Sequence, residues 1–124
     1  MKSRIGDNAR IQHIYDAILE IELYVNQISY EDFNLNSMMQ YACVKQLEIM
    51  GEAANHLTPS FKKLYSEIQW REIIGLRNIL IHEYFGIDTK IVWDIIKTDI
   101  VSLKSEVQRI IEKIKTPPTL FNPQ

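Results

Sequence analysis

The stretch IVWDIIKTDIVSLKSEVQRIIEKI, residues 91–114, decides the fold class. Its apolar side chains recur at steps of three and four residues, the period of an amphipathic α-helix. Asp88 precedes the stretch as a helix cap, and Pro117 and Pro118 follow its end. The apolar stripe comprises Val92, Ile96, Ile100, Leu103, Val107, Ile110 and Ile114. These features predict a long helix with one face against a core.

Two earlier segments have the same period. The first is predicted to be a helix capped by Asp7 or Asn8 and followed by a turn over residues 29–36. The second is predicted to be a helix capped by Asn36 or Ser37 and ended by Pro59. Their stripes are Ile11, Ile14, Ile18, Ile21, Val25 and Ile28, and then Val44, Leu47, Met50, Ala54 and Leu57.

Residues 60–69 read as a connection with a short helical turn around Phe61. A third helix is predicted from Trp70 to about Tyr84, with Gly86 as its stop signal. No segment has the alternation typical of a strand between hairpin turns. The expected fold is an all-α, up-and-down bundle of four main helices with a short extra helix. Residues 1–115 form the one domain, and 116–124 form a Pro-rich tail that we expect to be mobile or docked on a partner.

Composition fits a cytoplasmic protein. The chain has 124 residues, 46% of them hydrophobic, which is sufficient for one domain with a core. Cys43 is the single cysteine, so an internal disulfide is excluded and a reducing compartment is expected. The sequence has neither a signal-peptide pattern nor an apolar run long enough to span a membrane.

The charge balance limits the contacts with nucleic acid. A formal net charge of -2 argues against a nucleic-acid coat protein, which usually carries a basic excess that neutralises phosphates. Any contact with RNA must therefore be local, through one or two arginines. DNA and membrane surfaces are not expected partners.

Arg77 lies in the middle of the apolar stripe of the predicted third helix. A guanidinium is always charged and costly to desolvate, so it must pair with a carboxylate, extend to the surface or line a cleft that receives an anion. Glu48 and Glu52 of the second helix are the candidate partners. A buried Arg–Glu pair that only ties two helices together is an equally open interpretation at this point.

His82 follows Asn78 by one predicted helical turn, so the Asn78 side chain can orient one ring nitrogen and leave the other for proton transfer. The alternative is a histidine that interacts with the last carbonyl groups of its helix. Residues five apart on an ideal helix point about 140° from each other, which separates Arg77 from His82. Either the helix loosens near His82, or the arginine curls round, or residues from two subunits combine.

The other candidates have simpler explanations. Glu52 and His56 are four residues apart, but a di-iron bundle needs two Glu-x-x-His motifs, which this sequence lacks, so no metal site is expected. Gly51 and Gly75 lie inside predicted helices, where a close approach between helices explains a glycine.

The segment IGLRNILIHEY, residues 74–84, resembles the signature of HepT-type toxins of the HEPN superfamily: arginine, a polar residue, three more residues, histidine, any residue, tyrosine. IMGEA at residues 49–53, Trp70, Gly86–Asp88 and Val92–Trp93 also look like HepT landmarks. The resemblance covers most of the domain.

The resemblance implies a cofactor-free and metal-independent endoribonuclease toxin that works as a homodimer. RNA would be cleaved where the motifs of two subunits meet, with Arg77 and His82 as catalytic residues and Asn78 and Glu52 supporting them. The chemistry suits these residue types. Attack by a ribose 2′-hydroxyl needs a base, an acid and positive charge near the phosphate, and a dimer supplies two copies of His82.

The resemblance also implies a partner, a minimal nucleotidyltransferase antitoxin that adenylylates the tyrosine corresponding to Tyr84. Nucleotide phosphates beside Arg77 would occupy the site with an anion. The rival hypothesis is a noncatalytic dimeric module that binds a nucleotide or docks on such a transferase. The acidic pI favours the rival, whereas a titratable histidine near an arginine favours the enzyme.

Overall fold

The structure is a computed structural model that describes residues 2–78, 81–82 and 86–115, with side chains described over 6–78 and 86–115. Three long helices and several short ones form a single layered bundle. In chain order the elements are α1 (Lys2–Tyr24), α2 (Tyr30–Asn34), α3 (Ser37–Asn55), α4 (Pro59–Leu64), α5 (Trp70–Gly75), a 3₁₀ turn (Leu76–Asn78), β1 (Ile81–His82), β2 (Gly86–Ile87), α6 (Thr89–Asp94), a π turn (Ile95–Asp99) and α7 (Ile100–Lys115).

The core lies where the apolar stripes of three helices meet. α1 packs along α3 and α7, and α3 also packs against α5 and the 3₁₀ turn. The largest fully buried side chains are Ile11, Ile14, Ile18, Ile21, Phe33, Cys43, Val44, Leu47, Met50, Val92 and Val107. The all-α class expected from the sequence is confirmed. Within the described residues, no helix is long and apolar enough to cross a membrane.

Two of the predicted helix caps are present. The Asn36 side chain accepts a hydrogen bond from the Met39 amide at the start of α3, and Asp88 accepts one from the Ile91 amide at the start of α6. Each cap satisfies an amide that the first turn of a helix leaves without a partner. The short helix around Phe61 is also present, as α4.

The predicted cap at Asp7 or Asn8 is wrong, because α1 begins at Lys2 and both residues lie inside it. The Asp7 side chain is only 7% exposed and accepts hydrogen bonds from the Thr58 amide (2.9 Å) and hydroxyl (2.7 Å). The buried carboxylate thereby joins α1 to the residue that caps α4. Its desolvation is compensated by these two bonds.

The predicted turn at residues 29–36 contains a short helix, α2, capped by Ser29. Its last carbonyl groups are satisfied from α3, because the side-chain Nε2 of Gln40 donates to the Phe33 oxygen at 2.8 Å and to the Asn34 oxygen at 3.1 Å. Gln40 is buried, so these bonds also satisfy a polar side chain in the core.

The third helix is shorter than predicted. It ends at Gly75 instead of Tyr84, continues as the 3₁₀ turn and gives way to an antiparallel pairing of Ile81 with Ile87 and His82 with Gly86. The prediction failed because the helical period of the sequence continues into a segment whose β-branched isoleucines also suit extended backbone. Gly86 adopts a φ of 81°, a conformation that favours glycine.

The long helix predicted from residues 91–114 is confirmed as α6 and α7, joined through helical backbone by the π turn. We call this unit, Thr89 to Lys115, the C-terminal helix. The π turn was not predicted, because the spacing of apolar residues does not reveal one extra residue within a single turn of a helix.

Candidate functional site

The site is built where α3 touches the 3₁₀ turn, and Gly51 permits the contact. A Cβ atom at position 51 would lie 2.7 Å from the Arg77 nitrogen and 2.9 Å from the Ile73 oxygen, both backbone atoms. Only glycine allows so close an approach. The packing explanation for Gly51 is confirmed. For Gly75 it is wrong, because a Cβ there would meet no atom of the described residues within 4 Å.

Arg77 lies at the edge of this contact. Its backbone packs against Gly51, and its guanidinium lies at the surface. Nη1 lies 3.6 Å from Oε1 of Glu52, and Nε donates to the Ile74 oxygen at 3.3 Å. The side chains of Arg77 and Glu52 are 35% and 56% exposed. Of the two predicted partners, Glu52 and not Glu48 makes the ion pair. The buried-pair interpretation is wrong, because both groups reach solvent.

Glu52 also contacts a histidine. Its Oε2 lies 2.8 Å from Nε2 of His56, one turn further along α3. The hydrogen bond with His56 lowers the pKa of the Glu52 carboxyl below its ordinary value, and the positive charge of Arg77 lowers it further. The carboxylate thus lies between an imidazole and a guanidinium. We call Glu52, His56 and Arg77 the surface triad.

His56 was not predicted as part of the site, although the signal was present. Considered alone, the spacing between Glu52 and His56 bears only on a metal centre. Glutamate and histidine four residues apart on a helix face each other, and the same glutamate was a candidate partner of Arg77. The two observations together would have predicted the triad.

The structure describes the other predicted site residues only in part. Asn78 is exposed and ends the 3₁₀ turn. The backbone of His82 lies in β1 and pairs with Gly86. Because the helix ends at Gly75, the one-turn helical relation predicted between Asn78 and His82 is absent, and the angular objection to pairing Arg77 with His82 disappears with it. The side chain of His82 and the whole of Tyr84 lie outside the described residues, as does the predicted tail, 116–124.

The triad is suited to binding an anion. A guanidinium that is one-third exposed and paired at 3.6 Å with an exposed carboxylate is only weakly held by that carboxylate. A phosphate accepts stronger, bidentate hydrogen bonds from arginine. In the described part of the chain, histidine, cysteine and acidic side chains form no group of three that could hold a metal ion.

Comparison with known proteins identifies the family. The model of the family described as ribonuclease HepT-like matches residues 14–110, which include α3, the surface triad, the 3₁₀ turn and His82. The chain belongs to the ribonuclease HepT-like family. The resemblance seen in IGLRNILIHEY is therefore confirmed.

Three curated relatives of this HepT-like chain match along nearly their whole length. It is 40% identical over 100 residues to a probable ribonuclease HepT of Thermococcus cleftensis, covering 81% of this chain and 91% of the relative. It is 38% identical to a putative RNase of Methanocaldococcus jannaschii, with 81% and 92% covered. A putative RNase of Caldanaerobacter subterraneus is also 38% identical, with 85% and 94% covered. No solved structure matches the HepT-like chain.

Proposed function

We propose that this HepT-like chain is a metal-independent endoribonuclease and the toxin of a toxin-antitoxin pair. The observation that carries the proposal is the position of Arg77. Its guanidinium is partly exposed beside Glu52, in the turn that leads into the strand of His82. Membership of the family and the names of its relatives, which are RNases or ribonucleases, support the same activity.

The proposed reaction is attack by a ribose 2′-hydroxyl on the adjacent phosphorus. The new O2′–P bond forms as the P–O5′ bond breaks, so the strand is cut and the product keeps a 2′,3′-cyclic phosphate. A base takes the 2′ proton and an acid gives a proton to O5′, while Arg77 stabilises the charge on the phosphate oxygens. The acid and base are the two copies of His82 in a homodimer.

Within this proposal Glu52 has a positioning role. It limits the directions in which the Arg77 guanidinium can point, and His56 in turn restrains Glu52 through the 2.8 Å hydrogen bond. Asn78, at the end of the same turn, is proposed to support His82. These roles predict that Glu52 variants bind RNA with altered affinity and stay folded.

Control of the toxin is assigned to a nucleotidyltransferase antitoxin that adenylylates Tyr84. We propose that a nucleotide on Tyr84, which belongs to the same sequence motif as Arg77, adds phosphates that compete with RNA for the arginine. We expect the protein to act in the cytoplasm, where Cys43 stays reduced. An inactive toxin purified with its antitoxin should carry one added nucleotide on Tyr84 by mass spectrometry. An unmodified Tyr84 in that complex would remove this part of the proposal.

The test of the activity is cleavage of labelled total RNA in the presence of a chelator, with wild type compared with His82→Ala. Loss of a general acid–base group should lower the rate by roughly 10²–10⁴-fold. His13→Ala is the matched control, because it removes an exposed histidine of α1 that lies outside the surface triad and should leave the cleavage unchanged. Circular dichroism must show that all three proteins are folded.

One observation favours a second function. The net charge of -2 gives no general attraction for RNA. A noncatalytic module would use Arg77 and His82 to hold the phosphate of a nucleotide or to dock on a transferase. An unmodified wild-type dimer that binds nucleotide and leaves RNA uncut in the same assay would establish this second function.

A further inference from the structure

α5 borders a second feature, an open groove between residues 67–76 and the C-terminal helix. The groove has a volume of about 610 Å³. Its base is formed by apolar side chains of both walls, among them Ile73 and Leu76 on one side and Ile100 and Leu103 on the other. This size is within the range of about 300–1,000 Å³ that is typical of binding clefts.

The rim of the groove is acidic. Of the thirteen described residues that line it, four carry carboxylates and none is lysine, arginine or histidine. The four are Glu67, Glu72, Asp99 and Glu106. None of them belongs to an ion pair formed within the described residues. Elsewhere on the surface, by contrast, Glu22 pairs with Lys104 and Asp94 with Lys90.

The C-terminal helix is irregular where it borders the groove. The π turn, Ile95–Asp99, contributes its first and last residues to the lining. A π turn is rare, because it weakens the regular α-helical hydrogen bonding, and it often marks a functional site. Here it changes the register of the helix, so that Asp99 reaches the rim while Ile100 stays buried.

The charge of the rim restricts what can bind. RNA phosphates would be repelled by four unneutralised carboxylates. A second copy of this chain docked by two-fold symmetry would bring the same carboxylates together, which is unfavourable. A segment with apolar side chains on one face and lysine or arginine beside them complements both the base and the rim.

We propose that this acidic groove binds a cationic amphipathic helix of a partner protein. The apolar face of that helix packs on Ile73, Leu76 and Leu103, and its basic side chains pair with Glu72 and Asp99. The surface is distinct from the surface triad. The inference is also independent of the proposed RNase activity, because it concerns binding alone.

A fluorescent label in the groove tests the proposal. Ser102 lines the groove and is exposed, so Ser102→Cys introduces a thiol there. Burial raises the pKa of the native Cys43 to about 12, so it remains unlabelled. The probe is a synthetic helical peptide of about 18 residues with leucine on one face and lysine beside it. Ser37→Cys, exposed at the start of α3, is the control position for the label.

We expect a saturable change in fluorescence at position 102, little change at position 37, and none with a peptide that has glutamate in place of lysine. The double variant Glu72→Lys and Asp99→Lys should raise the dissociation constant of the peptide by at least about tenfold and make it less dependent on salt. The matched control is Asp16→Lys with Glu20→Lys, an equal change of net charge on exposed positions of α1.

Three results would overturn the proposal. The first is equal weakening by both double variants, which would indicate a general charge effect. The second is an absence of any response at position 102 in a protein whose thermal unfolding is unchanged. The third is a change in oligomeric state caused by Glu72→Lys and Asp99→Lys without peptide, which would assign the groove to a second copy of the chain. RNA cleavage enters none of these readouts, so the RNase proposal is tested separately.

Discussion

The short helix α5 has two different neighbours, and the contrast separates two tasks. Towards α3 the backbones approach so closely that position 51 admits no side chain, and the Arg77 backbone is held in place. Towards the C-terminal helix, an open groove of about 610 Å³ remains. The close contact suits the precise positioning of a charged group, and the open one suits docking of another molecule.

The two sides also differ in charge. At the close contact a guanidinium and an imidazole flank one carboxylate, and the guanidinium is exposed enough to donate to a phosphate as well. Around the groove, all the charged side chains among the described lining residues are carboxylates. A protein with little net charge thus carries a partly exposed guanidinium and an acidic groove on two sides of one helix.

The largest expected effect is at the surface triad. Arg77→Ala should lower RNA cleavage by roughly 10²–10³-fold, because it removes a donor to the charged transition state. It should change the free energy of unfolding by less than about 1 kcal/mol, because the pair with Glu52 is exposed to solvent. Activity is measured with labelled RNA, and stability is measured by denaturant unfolding.

Arg71→Ala is the matched control, because Arg71 is an exposed arginine on α5 itself. It should retain near wild-type cleavage. Equal loss of cleavage in both variants would mean that general positive charge, rather than the place of Arg77, supports activity.

The next effect concerns the two glycines of this region. Gly51→Ala should destabilise the fold by about 1–3 kcal/mol, because the new methyl group meets backbone atoms that cannot turn aside. Gly75→Ala should stabilise it by about 0.5–1 kcal/mol, because alanine favours a helix and has free space there. Denaturant unfolding of both variants measures the difference. A stabilising Gly51→Ala would show that α3 and the 3₁₀ turn are further apart in solution.

The smallest expected effect is the pH dependence of the stability that Glu52 contributes to the fold. Its pKa is lowered in the folded chain, so the stabilisation is complete above the ordinary value of 4.5 and is lost as the pH falls through the folded value. Wild type should therefore exceed Glu52→Gln in melting temperature at neutral pH, and the gap should close in acid. Glu48→Gln, on the same helix, is the control. A gap that is constant from pH 7 to strong acid would contradict the cause assigned to the shift.

The sequence predicted the parts of the fold that depend on local period. The stripes from Ile11 to Ile28 and from Val92 to Ile114 specify long helices because burial of one face dominates their free energy. The early end of α5 and the π turn escaped prediction, since both depend on contacts between segments that are distant in sequence. The partner of Arg77 was predicted only as one of two glutamates, because the choice depends on how α3 is rotated against the 3₁₀ turn.

The most direct measurement of the central claim is the chemistry of the cut ends. RNA is incubated with purified, unmodified protein in chelator, and the fragment termini are determined. We predict a 2′,3′-cyclic phosphate on one fragment and a 5′-hydroxyl on the other, both absent with Arg77→Ala. Fragments with a 3′-hydroxyl and a 5′-phosphate, or RNA left intact by the folded wild type, would contradict cleavage by 2′-hydroxyl attack at this site.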